Sequence, residues 1–342
     1  MLMALVPVIE GSRLLVDYDG ISSAAKSRKA KTVALQLPEG LRAFASQIAG
    51  RIESSASVAV IIDSEPCFGA CDIPTHLFGS ADMVVQLGHT EMPSIGVMPR
   101  MYFANIFVDI DPIPVVEKAI PLLSGTVGVV TTAQHMHYLD AIISFLRSRG
   151  VEALYSRGDR RLGGFAQLLG CDYTSARDME DRVDSFLYVG DGDFHPIGLV
   201  MLSDRPLIAA NPMNGTVRTL DALRDIIMKQ RLTAIERAMG AKSFGVLVST
   251  KVGQRRRALA EKLVSEVQGT GRRSSLIQSN VISPELIMSY DFDAFTSTAC
   301  PRVAIDDFSK YPRPLLTPIE TEIALGIRKF SDFTFDQILA EQ

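Results

Sequence analysis

One unit, written three times, constrains this chain more than any other feature. Residues 32–40 (TVALQLPEG), 126–134 (TVGVVTTAQ) and 243–251 (SFGVLVSTK) each carry a short apolar run that ends in a polar or glycine-containing turn. Such runs suit strands buried on both faces of a parallel sheet. Helical spacing follows over 41–52, 137–149 and 255–267, and a second strand is expected at 58–63, 151–155 and 274–278. A third strand follows in each case, led by an acidic residue (Asp82, Asp184, Asp293) and running to 88, 190 and 298. Strands alternating with helices of this length predict βαβ units and parallel sheets. The units start 94 and 117 residues apart (126 − 32 and 243 − 126), which is domain-sized and too long for a solenoid repeat. The expectation is therefore an α/β protein of three pseudo-symmetric Rossmann-like domains, 1–105, 106–217 and 218–342. The competing reading is one large doubly wound sheet in which every βα unit resembles the next.

Charge and cysteine usage narrow the function. The chain has 35 Lys and Arg against 39 Asp and Glu, a net charge of −4, so it lacks a whole-chain electrostatic footprint for nucleic acid. Its short basic runs (Arg160-Arg161, Arg255–Arg257, Arg272-Arg273) read as solvated faces. No apolar stretch approaches ~18 residues, so no membrane span is expected. The first residues lack the basic region and cleavage site of a signal peptide, which points to the cytoplasm. Disulfides are disfavoured there, so the four cysteines are either buried fillers or ligands.

Cys71 and Cys171 fall 35 and 37 residues after the ends of their first strands (71 − 36 and 171 − 134), and Cys300 closes the third strand of its unit. Open α/β sheets gather functional residues in the loops beyond the carboxyl ends of their strands. Three thiolates, one per domain, suit either a zinc ion with a fourth ligand or a 4Fe-4S cluster with one open iron. The absence of C-x₂-C pairs disfavours a zinc ribbon, and the C-x₃-C of Cys67 and Cys71 is weak by itself. Small buried thiols remain the plain alternative.

The stretch QLPEGL at 36–41, followed by CFGACD at 67–72, resembles the archaeal diphthamide synthase radical enzymes, the 2-(3-amino-3-carboxypropyl)histidine synthase family. TTAQH at 131–135, QLLGCD at 167–172, STKVGQ at 249–254 and ACPRVAIDD at 299–307 extend the resemblance, in order, over nearly the whole chain. It implies three α/β domains around a central 4Fe-4S cluster held by Cys71, Cys171 and Cys300, in a homodimer. Cys67 is then a spare thiol. Relatives often carry a histidine and an aromatic before Gly-His, where this chain has Gln86-Leu87-Gly88-His89; this leaves the role of Gln86 open while His89 is retained.

The resemblance further implies that S-adenosylmethionine binds the open iron and is cleaved on its aminocarboxypropyl side, leaving methylthioadenosine. The radical so formed adds to a histidine of translation elongation factor 2, the first step towards diphthamide. Conventional radical enzymes of this class use a C-x₃-C-x₂-C loop, but Pro74 stands where the third cysteine would be. No catalytic residue is assigned apart from the cluster, and no electron donor or docking surface is legible.

Turns at the strand ends offer Gln36, Glu39, His89, Gln134, Gly190, Asp191, Gly192, Thr298 and Arg302 as contacts to S-adenosylmethionine. Gly190-Asp191-Gly192 lets backbone approach a ligand, or is an ordinary strand-end turn. Arg302 suits a carboxylate or a helix cap. His89 and His195 serve substrate or structure, and Asp306-Asp307 is read as a helix N-terminal feature. Two other classes stay open: a structural or redox-sensing metal protein, and a Lewis-acid enzyme of quinolinate-synthase type.

Overall fold

The computed structural model describes residues 5–340; residues 1–4, the start of the apolar N-terminal run, and residues 341–342 lie outside the described residues. Strands β1 (Val6–Pro7) and β2 (Leu14–Val16) precede the first parallel sheet. That sheet comprises β3 (Thr32–Gln36), β4 (Ala59–Ile62), β5 (Met83–Leu87) and β6 (Met101–Ala104). Next, β7 (Ile106–Val108) returns to pair antiparallel with β2. The second sheet holds β8 (Val127–Thr131), β9 (Ala153–Leu154), β10 (Ser185–Val189), β11 (Leu207–Asn211) and β12 (Thr216–Thr219), the last folding back on β11 as an antiparallel hairpin. The third holds β13 (Ser243–Ser249), β14 (Arg273–Ser279), β15 (Ala294–Ser297) and β16 (Leu315–Leu316).

All three sheets share one strand order. It is β4-β3-β5-β6 in the first, β9-β8-β10-β11 in the second before β12 is added, and β14-β13-β15-β16 in the third. In each, the first strand pairs in parallel with both the second and the third. The chain thus crosses from one side of its first strand to the other, which creates a topological switch point between the first and third strands. The central strands β5, β8, β10 and β13 are buried throughout, as their near-continuous apolar runs predict.

The acidic residue that leads each third strand has a physical role. The Asp82 carboxylate accepts from the backbone N–H groups of Lys31 and Thr32 at 2.8 and 3.0 Å. Asp184 accepts from Thr126 N–H at 2.7 Å, and Asp293 from Lys242 N–H and the Ser243 hydroxyl, both at 2.9 Å. In each sheet, a carboxylate on the third strand's approach therefore satisfies donors at the start of the first strand. A second repeated device is steric. Gly128 faces Phe186 and Gly245 faces Phe295 across the first-to-third ladder. A Cβ at these glycines would lie 2.6 and 2.7 Å from the aromatic ring, so only glycine lets the ring lie flat on the strand.

The helices bury one stripe each. In Leu139–Ser148 it is Leu139, Ile142, Ile143 and Leu146; in Arg257–Gly269 it is Ala260, Leu263 and Val267. The first of the three expected helices starts later than its pattern suggests, because Glu39–Phe44 winds as a 3₁₀ turn before Ala45–Ala56 becomes α-helical. Gly40 in that turn weakens an α-helical start. Two of the basic runs are solvated only in part: Arg160, Arg255 and Arg257 are exposed, but Arg161 and Arg256 are buried, the latter with hydrogen bonds to carbonyls and a carboxylate.

Contacts group the chain into two compact units. One comprises Met1–Leu168, Thr174–Gly192 and Ile208–Arg218; the other comprises Leu169–Tyr173, Asp193–Leu207 and Thr219–Gln342. The short segment carrying Cys171 therefore belongs with the unit that carries Cys300, while Cys71 lies in the other. Among the described residues no helix is long and apolar enough to cross a membrane.

Candidate metal centre and its surroundings

Two equivalent loops leave the first and second sheets in the same way. A parallel bridge joins Pro38 to Cys67 in one and Thr131 to Gln167 in the other. A cysteine follows the bridging residue by four positions in both (71 − 67 and 171 − 167), and each is followed by a buried aspartate, Asp72 and Asp172.

The Cys67–Asp72 loop is held from beneath by two buried amides at the first sheet's switch point. Gln36 and Gln86 are register partners on β3 and β5. Gln86 Nε2 donates to Gln36 Oε1 at 2.7 Å and to the Asp72 carbonyl at 3.1 Å, and Gln36 Nε2 donates to the same carbonyl at 3.1 Å. Gln86 Nε2 also lies 3.7 Å from Cys67 Sγ. Gln86 thus positions the loop that carries Cys71. His89 Nδ1 sits 3.8 Å from Cys67 Sγ, and burial pushes its imidazole down to about 4. Glu39 instead points to solvent, paired with Arg42 at 3.2 Å.

At the second sheet's switch point, Gln134 Nε2 donates to the Gly88 carbonyl at 3.0 Å. His135 beside it is completely buried, and neither ring nitrogen has a hydrogen-bond partner among the described residues; the Thr132 hydroxyl shares that condition. Burial pushes His135 down to about 4, opposed by the nearby Asp191 carboxylate. Gly190 lies against the Tyr188 hydroxyl, which donates to the Asp191 carbonyl at 3.1 Å. Gly192 has a φ of +61° and open space around it.

In the second unit, Cys171 and Cys300 both act on one group, the phenol of Tyr173. Burial raises that phenol above its ordinary range, Arg302 opposes the rise, and the two thiols add to it. Arg302 is itself buried. It pairs with Asp306 and lies over the Phe194 ring at 4.8 Å, and its Nη1 has no partner among the described residues. Phe194 in turn lies so close to Gly170 that a Cβ there would sit 2.6 Å from the ring. His195 packs edge-on against Phe194. Thr298 donates its hydroxyl to the Leu247 carbonyl at 2.9 Å. Asp306 ends the helix Arg302–Asp306, so it is not an N-terminal feature, whereas Asp307 is both the C-cap of that helix and the N-cap of the 3₁₀ turn Phe308–Lys310. The bond to Arg302, one turn back along that helix, is what holds Asp306 there.

The family model for diphthamide synthesis proteins matches residues 37–334. The chain belongs to the diphthamide synthesis family. It is 36% identical over 316 residues to a 2-(3-amino-3-carboxypropyl)histidine synthase of Pyrococcus horikoshii, covering 91% of this chain and 90% of that protein. A 2-(3-amino-3-carboxypropyl)histidine synthase subunit 1 of Kluyveromyces lactis is 27% identical, covering 88% and 72%. Among solved structures, Dph2 from Pyrococcus horikoshii with a 4Fe-4S cluster matches with a TM-score of 0.85 and 33% identity, covering 95% of this chain and 94% of that one.

For a member of the diphthamide synthesis family, the question is whether the residues present suit an iron–sulfur cluster. Among the described residues no group of three or more His, Cys, Asp or Glu side chains is placed to enclose a metal ion. The donor chemistry nevertheless fits. No disulfide consumes the thiols. Cys171, Cys300 and Arg302 all bear electrostatically on the buried Tyr173 phenol, and Arg302 keeps a buried Nη1 with no partner among the described residues. The roles of four residues at these sites escaped sequence reasoning: Gln86, Thr132, His135 and Tyr173. Thr132 and His135 lie within the family-like TTAQH stretch and Tyr173 directly follows Cys-Asp, so proximity to a motif was the available signal.

Proposed function

We propose that this chain transfers the 3-amino-3-carboxypropyl group of S-adenosylmethionine to a histidine of translation elongation factor 2, the first step of diphthamide biosynthesis. The end-to-end likeness to the Pyrococcus horikoshii synthase carries the reading, and the likeness to a cluster-bearing Dph2 structure supports it. Cys71, Cys171 and Cys300, one from each of three α/β domains, would hold a 4Fe-4S cluster, with Cys67 left as a spare thiol. When bound, such a cluster supplies one iron with an open position and one electron for cleaving a sulfonium S–C bond.

The chain's own residues fix pose and exclude water, because the bond best aligned with the reactive iron is the one that breaks. Arg302 Nη1 would donate to the carboxylate of S-adenosylmethionine. His89, Gln134 and the Gly190–Gly192 turn would face the same co-substrate, and His135 and Thr132 offer neutral donors and acceptors. Gln36 and Thr298 are already engaged with the carbonyls of Asp72 and Leu247, so they act as positioning residues. The protein works as a cytoplasmic homodimer in this reading.

The test is anaerobic. The reconstituted chain, given dithionite and S-adenosylmethionine, is expected to release methylthioadenosine, identified by mass. Release of 5′-deoxyadenosine, or no cleavage by a fully loaded and reducible cluster, would overturn the proposal. The brown iron–sulfur absorbance should vanish in Cys71→Ala, Cys171→Ala and Cys300→Ala and persist in Cys67→Ala.

A further inference from the structure

The second unit contains a C-terminal segment whose hydrogen bonds run to both of its cysteine loops. Arg256 lies at the middle of the basic triplet and is buried. Its Nε donates to the Thr298 carbonyl at 2.8 Å and its Nη2 to the Ala299 carbonyl at 3.0 Å, the two carbonyls that immediately precede Cys300. On its other side the guanidinium holds the tail. Nη1 and Nη2 grip the Asp336 carboxylate at 2.8 and 2.6 Å, and Nη1 reaches the Gln337 carbonyl at 3.1 Å. These bonds engage all five N–H groups that an arginine possesses.

The same tail then reaches the other loop. The Gln337 side-chain oxygen accepts from the Tyr173 N–H at 3.2 Å, and the Ile338 N–H donates to the Cys171 carbonyl at 2.9 Å. The Phe335 ring packs edge-on against Tyr173 at 5.7 Å, and Phe335 and Ile338 are both buried. Backbone next to Cys300 and backbone at Cys171 are therefore tied to one short segment, although the two cysteines are 129 residues apart (300 − 171).

We propose that residues 335–338, clamped by Arg256, form a strap that sets the spacing of the Cys171 and Cys300 thiols, with Arg256, Asp336 and Gln337 as positioning residues. The functional meaning of that spacing rests on the cluster reading above; the strap itself does not. An arginine is required because only its planar fork presents donors to a carboxylate and to neighbouring carbonyls at once, whereas a lysine brings three donors on a single nitrogen. The strap also explains why a basic triplet in a chain of net negative charge has its middle residue inside the protein.

The experiment reads thiol spacing without iron. In the full-length, cluster-free chain carrying Cys67→Ser and Cys71→Ser, dibromobimane becomes fluorescent only when it bridges Cys171 and Cys300. Two variants attack opposite ends of the strap. Arg256→Lys keeps the charge and loses the fork, and Ile338→Pro removes the N–H that meets Cys171, together with the buried Ile338 side chain, and restricts the backbone of Gln337. Each should slow bridging about tenfold or more, since displacement of order an ångström is worth up to a hundredfold in rate, while far-ultraviolet circular dichroism stays unchanged. Unchanged bridging in both variants would refute the strap, as would a parent chain that shows no bridging. If both variants lose secondary structure, the segment is a general stability element and the positioning claim fails. Iron content of the reconstituted unmutated chain, with all four cysteines in place, is measured separately and tests the cluster reading, so the two failures are distinguishable.

Discussion

His135 should make this protein acid-sensitive by an amount that follows from its burial. Its imidazole is completely enclosed, and burial pushes its pKa to about 4, against an ordinary value near 6.5. The folded state therefore holds the ring neutral, whereas the unfolded chain takes up a proton as the pH falls through about 6.5. The contribution to stability is complete above that pH, declines as the pH falls towards about 4, and is flat below it. Each tenfold difference in proton affinity between the unfolded and folded states is worth about 1.4 kcal/mol, so the ceiling is about 3.4 kcal/mol and the loss between pH 7 and pH 5 is about 2 kcal/mol. His89 is pushed to about 4 by the same cause and adds its own loss over the same window.

The perturbation is His135→Leu, which removes the titrating group and two buried nitrogens that have no partner. Urea unfolding of the cluster-free, reduced chain at pH 7, 6 and 5 supplies the free energies. Stability of the variant should fall by about 2 kcal/mol less than that of the parent between pH 7 and pH 5. Parallel curves for the two proteins would refute the reasoning, since they would mean that the folded state accommodates a charged ring at this position.

Other predictions concern stability and can be checked by the same denaturation assay. Gly128→Ala and Gly245→Ala should each cost about 1–3 kcal/mol by overpacking, and a companion Phe186→Leu or Phe295→Leu change should recover part of the loss. Arg231 grips Glu320 with two bonds of 2.7 and 2.6 Å while donating to the Ala304 and Leu315 carbonyls, all out of solvent. Arg231→Met should therefore cost about 3–5 kcal/mol, because it strands a buried carboxylate. Removing that charge as well, in Arg231→Met/Glu320→Gln, should restore part of the stability.

Much of the architecture was legible in the chain. Buried strands announce themselves as apolar runs, and helices as apolar stripes with a period near 3.6, because each pattern reports which faces of a local element meet water. Hence all nine expected strands form, eight of them within a residue or two of their predicted limits, while β8 ends at Thr131, three residues before the expected 134. The acidic leaders Asp82, Asp184 and Asp293 were visible as a repeat, and the structure supplies their purpose in the donors they satisfy. Glu39 was misleading in a simple way: a polar residue in a strand-end turn can face the site or the solvent, and local sequence carries no sign of which. Gln86 shows the converse, since its partners come from β3 and from the loop above it.

By itself, then, the sequence determined the three βα units, their parallel sheets, the placing of a cysteine beyond strand ends in each third, and the family. Only the tertiary structure decided which buried polar groups answer one another. Arg256 finds Asp336 across 80 residues and Arg231 finds Glu320 across 89. The Cys171 segment packs with the unit of Cys300 rather than with its own neighbours in the chain. The physical reason is that an element's burial pattern is written in its own residues. A buried charge or amide is satisfied by whatever the fold brings to it, and no local pattern encodes that partner.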